Sequence, residues 1–183
     1  MKVIGLVGKI GSGKDTVSRM LKEYGFKEIG MGDMVREIAR ERGLEPTREN
    51  LQMIQKEFRG KYGPDYFAKM VVDRIRERGW ERAVINGIRI PEDAEIPRKE
   101  FGKDFTLVLV EANPDIRFER LRKRRRPGDP KTFEEFQKQE EREMKLFNLE
   151  KTLSYADEII YNNGTKEELK KEVDDLMKRL GFS

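Results

Sequence analysis

The sequence predicts an α/β fold of three layers, a parallel sheet of five strands covered by helices on both faces. Three observations predict it. Short apolar runs recur along the 183 residues, and segments of helical periodicity lie between them. The runs are nearly continuous rather than alternating, the pattern of strands buried on both sides. The first run opens directly into a glycine-rich loop and an amphipathic segment, as strand–turn–helix units of parallel sheets do.

In chain order, Lys2–Val7 reads as a buried strand, followed by the glycine loop and a helix over Gly13–Tyr24. Phe26–Ile29 is a short second strand. Helical spacing covers residues 33–42 and 48–60, the latter with Leu51, Ile54 and Phe58 on one face. After a break at Gly63-Pro64, Phe67, Met70, Val71 and Ile75 repeat at helical spacing. Ala83–Ile85 and Thr106–Val110 are the third and fourth strands. Asn113 precedes Pro114 as cap and first residue of a helix that runs into a basic stretch. Thr132 and Glu135 have the spacing of a capping box, as do Thr165 and Glu168 after a last strand at Glu158–Tyr161.

Composition narrows the chemistry. There is no cysteine and no histidine, which excludes disulfides, thiolate metal sites and imidazole acid–base catalysis. No run of 18 apolar residues marks a membrane span, and the apolar start is too short for a signal peptide, so a cytoplasmic setting is expected. Charged residues make up 40% of the chain with both signs interspersed, a surface that suits thermophiles. The net charge of +4 fits a polyanionic small molecule better than a nucleic acid, since aromatic residues are sparse in the basic stretch.

The most specific pattern is Gly8-Lys-Ile-Gly-Ser-Gly-Lys-Asp-Thr16, a P-loop in which Gly8, Gly13 and Lys14 hold the fixed positions. Such a loop turns successive backbone N–H groups toward phosphate oxygens, and the helix that follows adds its positive end. Gly8, Ile10, Gly11, Ser12, Gly13, Lys14, Asp15 and Thr16 are therefore the candidate ATP-binding residues, with Lys14 placed to follow charge on the β- and γ-phosphates. The motif ordinarily carries a hydroxyl where Asp15 stands. Asp15 and Thr16 are the candidate contacts to a nucleotide-bound Mg2+, held otherwise by phosphate and water.

From this point the chain resembles the nucleoside monophosphate kinases. Lys14-Asp15-Thr16 is similar to the adenylate kinase ending, and Gly-Lys-Asp-Thr to that of phage-type deoxynucleoside monophosphate kinases. Gly32-Asp33-Met34-Val35-Arg36 resembles the acceptor-site segment of adenylate kinases, which implies that Arg36 holds an acceptor phosphate and Asp33 lies beside it. Residues 86–95 resemble both families at the end of the third strand, with Arg89 as a second phosphate clamp and Asn86 where those families have aspartate. Guanidinium forks match phosphate oxygens, which is the chemical sense of both arginines. Residues 110–124 resemble the helix that leads into a kinase lid, implying Arg120 and Arg124 over the phosphates and a following helix carrying Arg142. Residues 156–165 resemble the last strand and loop of dephospho-CoA kinases, which puts Asn163 near the adenine. The closest overall pattern is an archaeal group related to adenylate and dephospho-CoA kinases.

The resemblance implies one kinase domain over residues 1–183, with a helical acceptor-binding region at 31–80 and a lid at 124–132. It implies an ATP- and Mg2+-dependent phosphotransferase acting on a (deoxy)nucleoside monophosphate. Dephospho-CoA is the alternative, with Asp33 as base toward a 3'-hydroxyl, and a regulatory ATP- or nucleic-acid-binding module with weak ATPase is the second. The expected partner is a small nucleotide acceptor, with no membrane and no nucleic acid, in a monomer or homodimer.

Overall fold

A computed structural model describes residues 1–182. Five strands, β1 (Lys2–Val7), β2 (Lys27–Gly30), β3 (Arg82–Asn86), β4 (Phe105–Glu111) and β5 (Glu158–Tyr161), form one sheet in the order β2-β3-β1-β4-β5. Every neighbouring pair is parallel. The predicted architecture is the observed one.

The continuous apolar strands are explained by what covers them. In β1, Val3 and Val7 point to one face and Ile4 and Leu6 to the other, and all four are fully buried. One face is covered by α1 (Lys14–Leu21) and the last helix, α9 (Lys166–Arg179), through Val17, Leu21, Val173 and Leu176. The other face carries α2 (Met31–Glu41), α4 (Tyr66–Glu77) and α5 (Pro91–Phe101), with Val35, Phe67, Val71 and Ala94 inward. Against these lean α3 (Arg48–Tyr62), through the buried Ile54, and the short α8 (Leu149–Ser154), through Leu149. A smaller apolar cluster joins α6 (Pro114–Arg124) to α7 (Phe133–Leu146), where Phe118, Leu121 and Phe136 meet Ile10 of the glycine loop. Among the described residues no helix is long and apolar enough to cross a membrane.

Several local expectations are corrected. The α5 helix is not evident from periodicity, because Pro97 lies inside it and buried Asp93 interrupts its apolar face. Asn113 stands at the start of α6 but its side chain makes no cap hydrogen bond. Thr132 Oγ1 does accept from the Glu135 N–H at 3.1 Å, yet Glu135 returns its carboxylate to the Lys131 N–H, so the box is only half closed. The Thr165–Glu168 box closes in both directions.

The topology decides where a ligand sits. The strand order reverses on either side of β1, and open parallel sheets bind ligands at the carboxyl ends of strands beside such a reversal. The glycine loop after β1, the Gly30–Asp33 turn after β2 and the Asn86–Arg89 segment after β3 all leave the sheet at that edge. Gly30 and Asn86 are register partners, which brings the last two together.

Gly5 at the centre of β1 has no room for a side chain. A Cβ there would meet Ile88 Cδ1 at 2.6 Å and Phe105 Cζ at 2.9 Å, both from buried residues. Gly5→Ala is therefore expected to cost about 1–3 kcal/mol of stability through overpacking. The check is the urea midpoint against wild type; an unchanged midpoint would show that the site repacks freely.

Candidate functional site

The glycine loop takes its shape from two residues in the left-handed region, Gly11 at φ 79° and Gly13 at φ 100°. Side chains rarely adopt those angles, and a Cβ on Gly13 would also run into the Asn162 amide. The loop's outward carbonyls are taken up by three side chains that sequence reasoning did not place there or placed differently. Arg117, 1% exposed, donates from Nε to Ala112 O at 2.9 Å and from Nη1 to Ile10 O at 3.3 Å. Its charge is matched by Glu140 of α7 at 2.7 Å. Asn162 donates to Ser12 O at 2.8 Å, and Arg120 reaches Gly11 O and Ser12 O at 3.4 Å and Asn162 O at 2.6 Å.

Lys14 folds back over the loop, donating to Gly8 O at 2.7 Å and Lys9 O at 3.3 Å. Desolvation pushes its ammonium down to about 8, with the positive charge of Arg89 as the next cause, and Asp15 and Glu143 oppose the shift. A cation whose charged form is held at a disadvantage in this way gains from an arriving polyanion.

A single cleft of about 840 Å³ runs from this loop across the carboxyl edge. Lys14, Arg36, Arg89, Arg120 and Arg124 line it together with Asp15, Thr16 and Asp33. The structure thus brings together the residues of the P-loop, the β2 and β3 ends and α6. Asp33 Oδ2 accepts from the Gly30 N–H at 2.8 Å and Oδ1 from Arg36 at 2.7 Å, which makes it both a cap of α2 and the partner of that arginine. Asn86 donates to Asp15 at 2.9 Å and to Glu28 at 3.1 Å, tying the start of α1 to β2 and β3. The Arg89 guanidinium lies over the Phe147 ring at 5.3 Å. Arg124 is paired with Asp129, whose carboxylate also accepts from the Arg126 N–H at 2.8 Å. That ion pair holds the Asp129 carboxyl below its ordinary range and the Arg124 guanidinium above its own.

Two predicted positions fall elsewhere. Asn163 does not line the cleft; its Oδ1 accepts from the Asn113 N–H at 2.7 Å and staples the loops after β4 and β5. Arg142 is exposed on α7, and the cleft instead receives Glu143 and Phe147 from that end of the chain. Arg59 of α3 and Asp93 of α5 also line it. Proline at the first position of α5 is the one local hint of the helix that carries Asp93, and Pro97 inside it masks the rest; nothing local marks Arg59.

Comparison with known proteins agrees with this geometry. A family model described as an AAA domain matches residues 7–137. A UPF0200 protein of Methanosarcina mazei is 36% identical, over 97% of this chain and 94% of its own length. The chain belongs to the UPF0200 family. A UPF0200/UPF0201 protein of Archaeoglobus fulgidus is 37% identical over 98% of this chain, which spans only 56% of that longer protein. Among solved structures, a shikimate kinase from Bacteroides thetaiotaomicron superposes with a TM-score of 0.64 at 18% identity, covering 98% of each chain. A gluconokinase from Sinorhizobium meliloti 1021 gives 0.58 at 15%, covering 98% of this chain and 93% of its own. The chain shares the fold of these two kinases.

The lowered Lys14 pKa makes a prediction about binding. A bound polyphosphate raises it above about 8, so the free protein loses this proton as pH climbs past 8 while the complex keeps it. Binding then takes up a proton and weakens with rising pH, by as much as about tenfold per unit. Calorimetric titration with a non-hydrolysable nucleoside triphosphate at about pH 8.5, in two buffers of different ionisation enthalpy, reads this directly. Equal enthalpies in the two buffers would mean that Lys14 does not titrate there.

Proposed function

We propose that the chain is an ATP-dependent kinase that transfers the γ-phosphoryl group to a nucleotide-type acceptor, a (deoxy)nucleoside monophosphate. The observation that carries this reading is a set of cations gathered in one cleft from two sources, Lys14 with Arg120 and Arg124 beside the glycine loop, and Arg36 with Arg89 from the segments after β2 and β3. The first suits the donor triphosphate and the second an acceptor phosphate. A phosphate oxygen is already a nucleophile, so transfer to it needs alignment and charge neutralisation rather than a base.

On this reading Lys14 exchanges the Gly8 and Lys9 carbonyls for phosphate oxygens, and Arg120, already on the loop, bears on the same charge. The cradle fits a triphosphate because its glycines hold the turn: Gly8 packs on β4, where a Cβ would meet Val110 O at 2.5 Å, and Gly11 and Gly13 take left-handed angles, the kind of turn that points backbone N–H groups at phosphate. Asp15 and Thr16 would hold Mg2+ through the nucleotide. Among the described residues no cluster of three metal-binding side chains competes with that arrangement. Bound Mg2+ supplies charge neutralisation on the phosphates. Helices α2, α3 and α4, within residues 31–80, are the acceptor-binding region, and residues 124–132 are the lid, with the Arg124–Asp129 pair at its base.

A hydroxyl acceptor such as dephospho-CoA would call on Asp33 as base. Both of its oxygens already accept hydrogen bonds, from Gly30 and from Arg36, which favours the phosphate acceptor.

The test is a panel of nucleoside monophosphates, deoxynucleoside monophosphates and dephospho-CoA with ATP and Mg2+, read as acceptor-stimulated ADP release. No stimulation by any of them would overturn the kinase reading and leave a weak ATPase that binds nucleotide or nucleic acid. Lys14→Ala is expected to lower kcat by about 100-fold or more. Arg36→Ala is expected to raise the acceptor KM by about 10- to 100-fold with a smaller change in kcat, the loss of a charged hydrogen bond.

A further inference from the structure

In the same cleft, α3 presents Leu51, Gln55 and Arg59 at i, i+4 and i+8, one stripe of that helix. The start of α5 contributes Asp93, and Ile88 and Phe147 add apolar wall. Asp93 is 1% exposed. Its Oδ2 accepts from the Arg89 N–H at 3.1 Å and the Ile90 N–H at 3.2 Å, which shapes the segment that carries Arg89. Its Oδ1 is buried and has no partner, and the same is true of the Arg59 Nε–H. A buried polar atom left unpaired is costly, and native structures rarely keep one without a use. Here one acceptor and one donor remain, from two elements that line the same cavity.

We propose that Asp93 and Arg59 recognise the acceptor's nucleobase, Asp93 Oδ1 accepting from an exocyclic amine and Arg59 Nε–H donating to the ring nitrogen beside it. The assignment rests on the kinase reading for the acceptor phosphate at Arg36 and Arg89. A nucleobase fits better than a sugar because the two groups have opposite and fixed polarity: a carboxylate only accepts and a guanidinium only donates. A hydroxyl satisfies either and would not require both. The apolar side chains of Leu51, Ile88 and Phe147 suit the faces of a flat ring. Burial pushes the Asp93 carboxyl up to about 6, against the pull of the Arg89 and Ile90 N–H groups and the Arg59 charge, so above that pH the acceptor form dominates.

Matched nucleotide pairs test this, because AMP and IMP, or CMP and UMP, differ at one edge by amine against carbonyl. Equilibrium binding without ATP, by calorimetry, is expected to favour the amine member of at least one pair by about 10- to 100-fold. Asp93→Asn keeps a carbonyl oxygen for the two backbone N–H groups and turns the free atom into a donor, so it should erase or reverse that preference. Arg59→Met should weaken the amine member of the pair, whose ring nitrogen accepts, more than the carbonyl member, whose ring nitrogen carries a proton. Equal binding within both pairs by wild type, no binding of any of the four, or a preference that Asp93→Asn leaves intact would overturn the proposal. Should Asp93→Asn fail to fold, judged by its urea midpoint, the wild-type pair ratios and Arg59→Met decide alone. If the preference is present but no bound nucleotide is phosphorylated with ATP and Mg2+, the kinase reading fails and the recognition site stands.

Discussion

The rest of the site depends on how the glycine loop's carbonyls are satisfied. A loop that turns its N–H groups inward to meet phosphate must turn carbonyls outward, into protein rather than water. Arg117, Arg120 and Asn162 meet them, and each choice has consequences. Asn162 is fixed by its place at the end of β5, so the edge strand buttresses the loop although it supplies nothing to the cleft wall. Arg117 is a buried cation and needs a buried partner, which it finds in Glu140. That ion pair, with the Phe118–Phe136 contact at 5.7 Å, fixes α7 against α6 and so sets where Glu143 and Phe147 stand. One backbone requirement thus reaches the opposite wall of the cleft.

Asn86 shows the same logic on the acceptor side. Its amide donates to two carboxylates, Asp15 and Glu28, that belong to α1 and β2. An aspartate in its place would set three carboxylates against one another, whereas the amide ties two of them together. The departure at Asn86 and the departure at Asp15, where a hydroxyl is usual, are therefore joined: the acid after Lys14 is held by the amide at the end of β3. Neither position makes full sense without the other.

Legibility in the sequence followed distance along the chain. The strand, loop and helix at residues 2–21 were plain because every signal there is local: an apolar run, glycines at fixed spacing, then an amphipathic segment. Asp33 and Arg36 were visible for the same reason, lying one turn apart. The basic stretch was not, since composition gives many arginines and no direction. Arg117 and Arg120, one turn apart on α6, face the loop, while Arg122, Arg125 and Arg126 are exposed. Helix α5 was hidden by Pro97, and with it the meaning of Asp93, whose neighbour Arg59 comes from another helix altogether. Asn162 and Asn163 were indistinguishable by type; only the fold separates the one that holds the loop from the one that staples its neighbours.

The arginines finally divide into two kinds by burial, and the division bears on how a site so basic is kept ordered. Arg117 is enclosed with Glu140, and removing either partner would strand a buried charge, so this pair is part of the frame. Arg36 with Asp33 and Arg124 with Asp129 are different: the arginines keep 48% and 35% of their side-chain surface and lie at the cleft. The Arg36–Asp33 pair is exposed on both sides and worth only about 0–1 kcal/mol, so a phosphate can take over that guanidinium at little cost. Until it does, the carboxylate holds the side chain at the cleft and offsets repulsion among the cations around it. The acids at the cleft thus hold places for phosphate, and the one carboxylate deeply buried there, Asp93, is the one that phosphate does not replace.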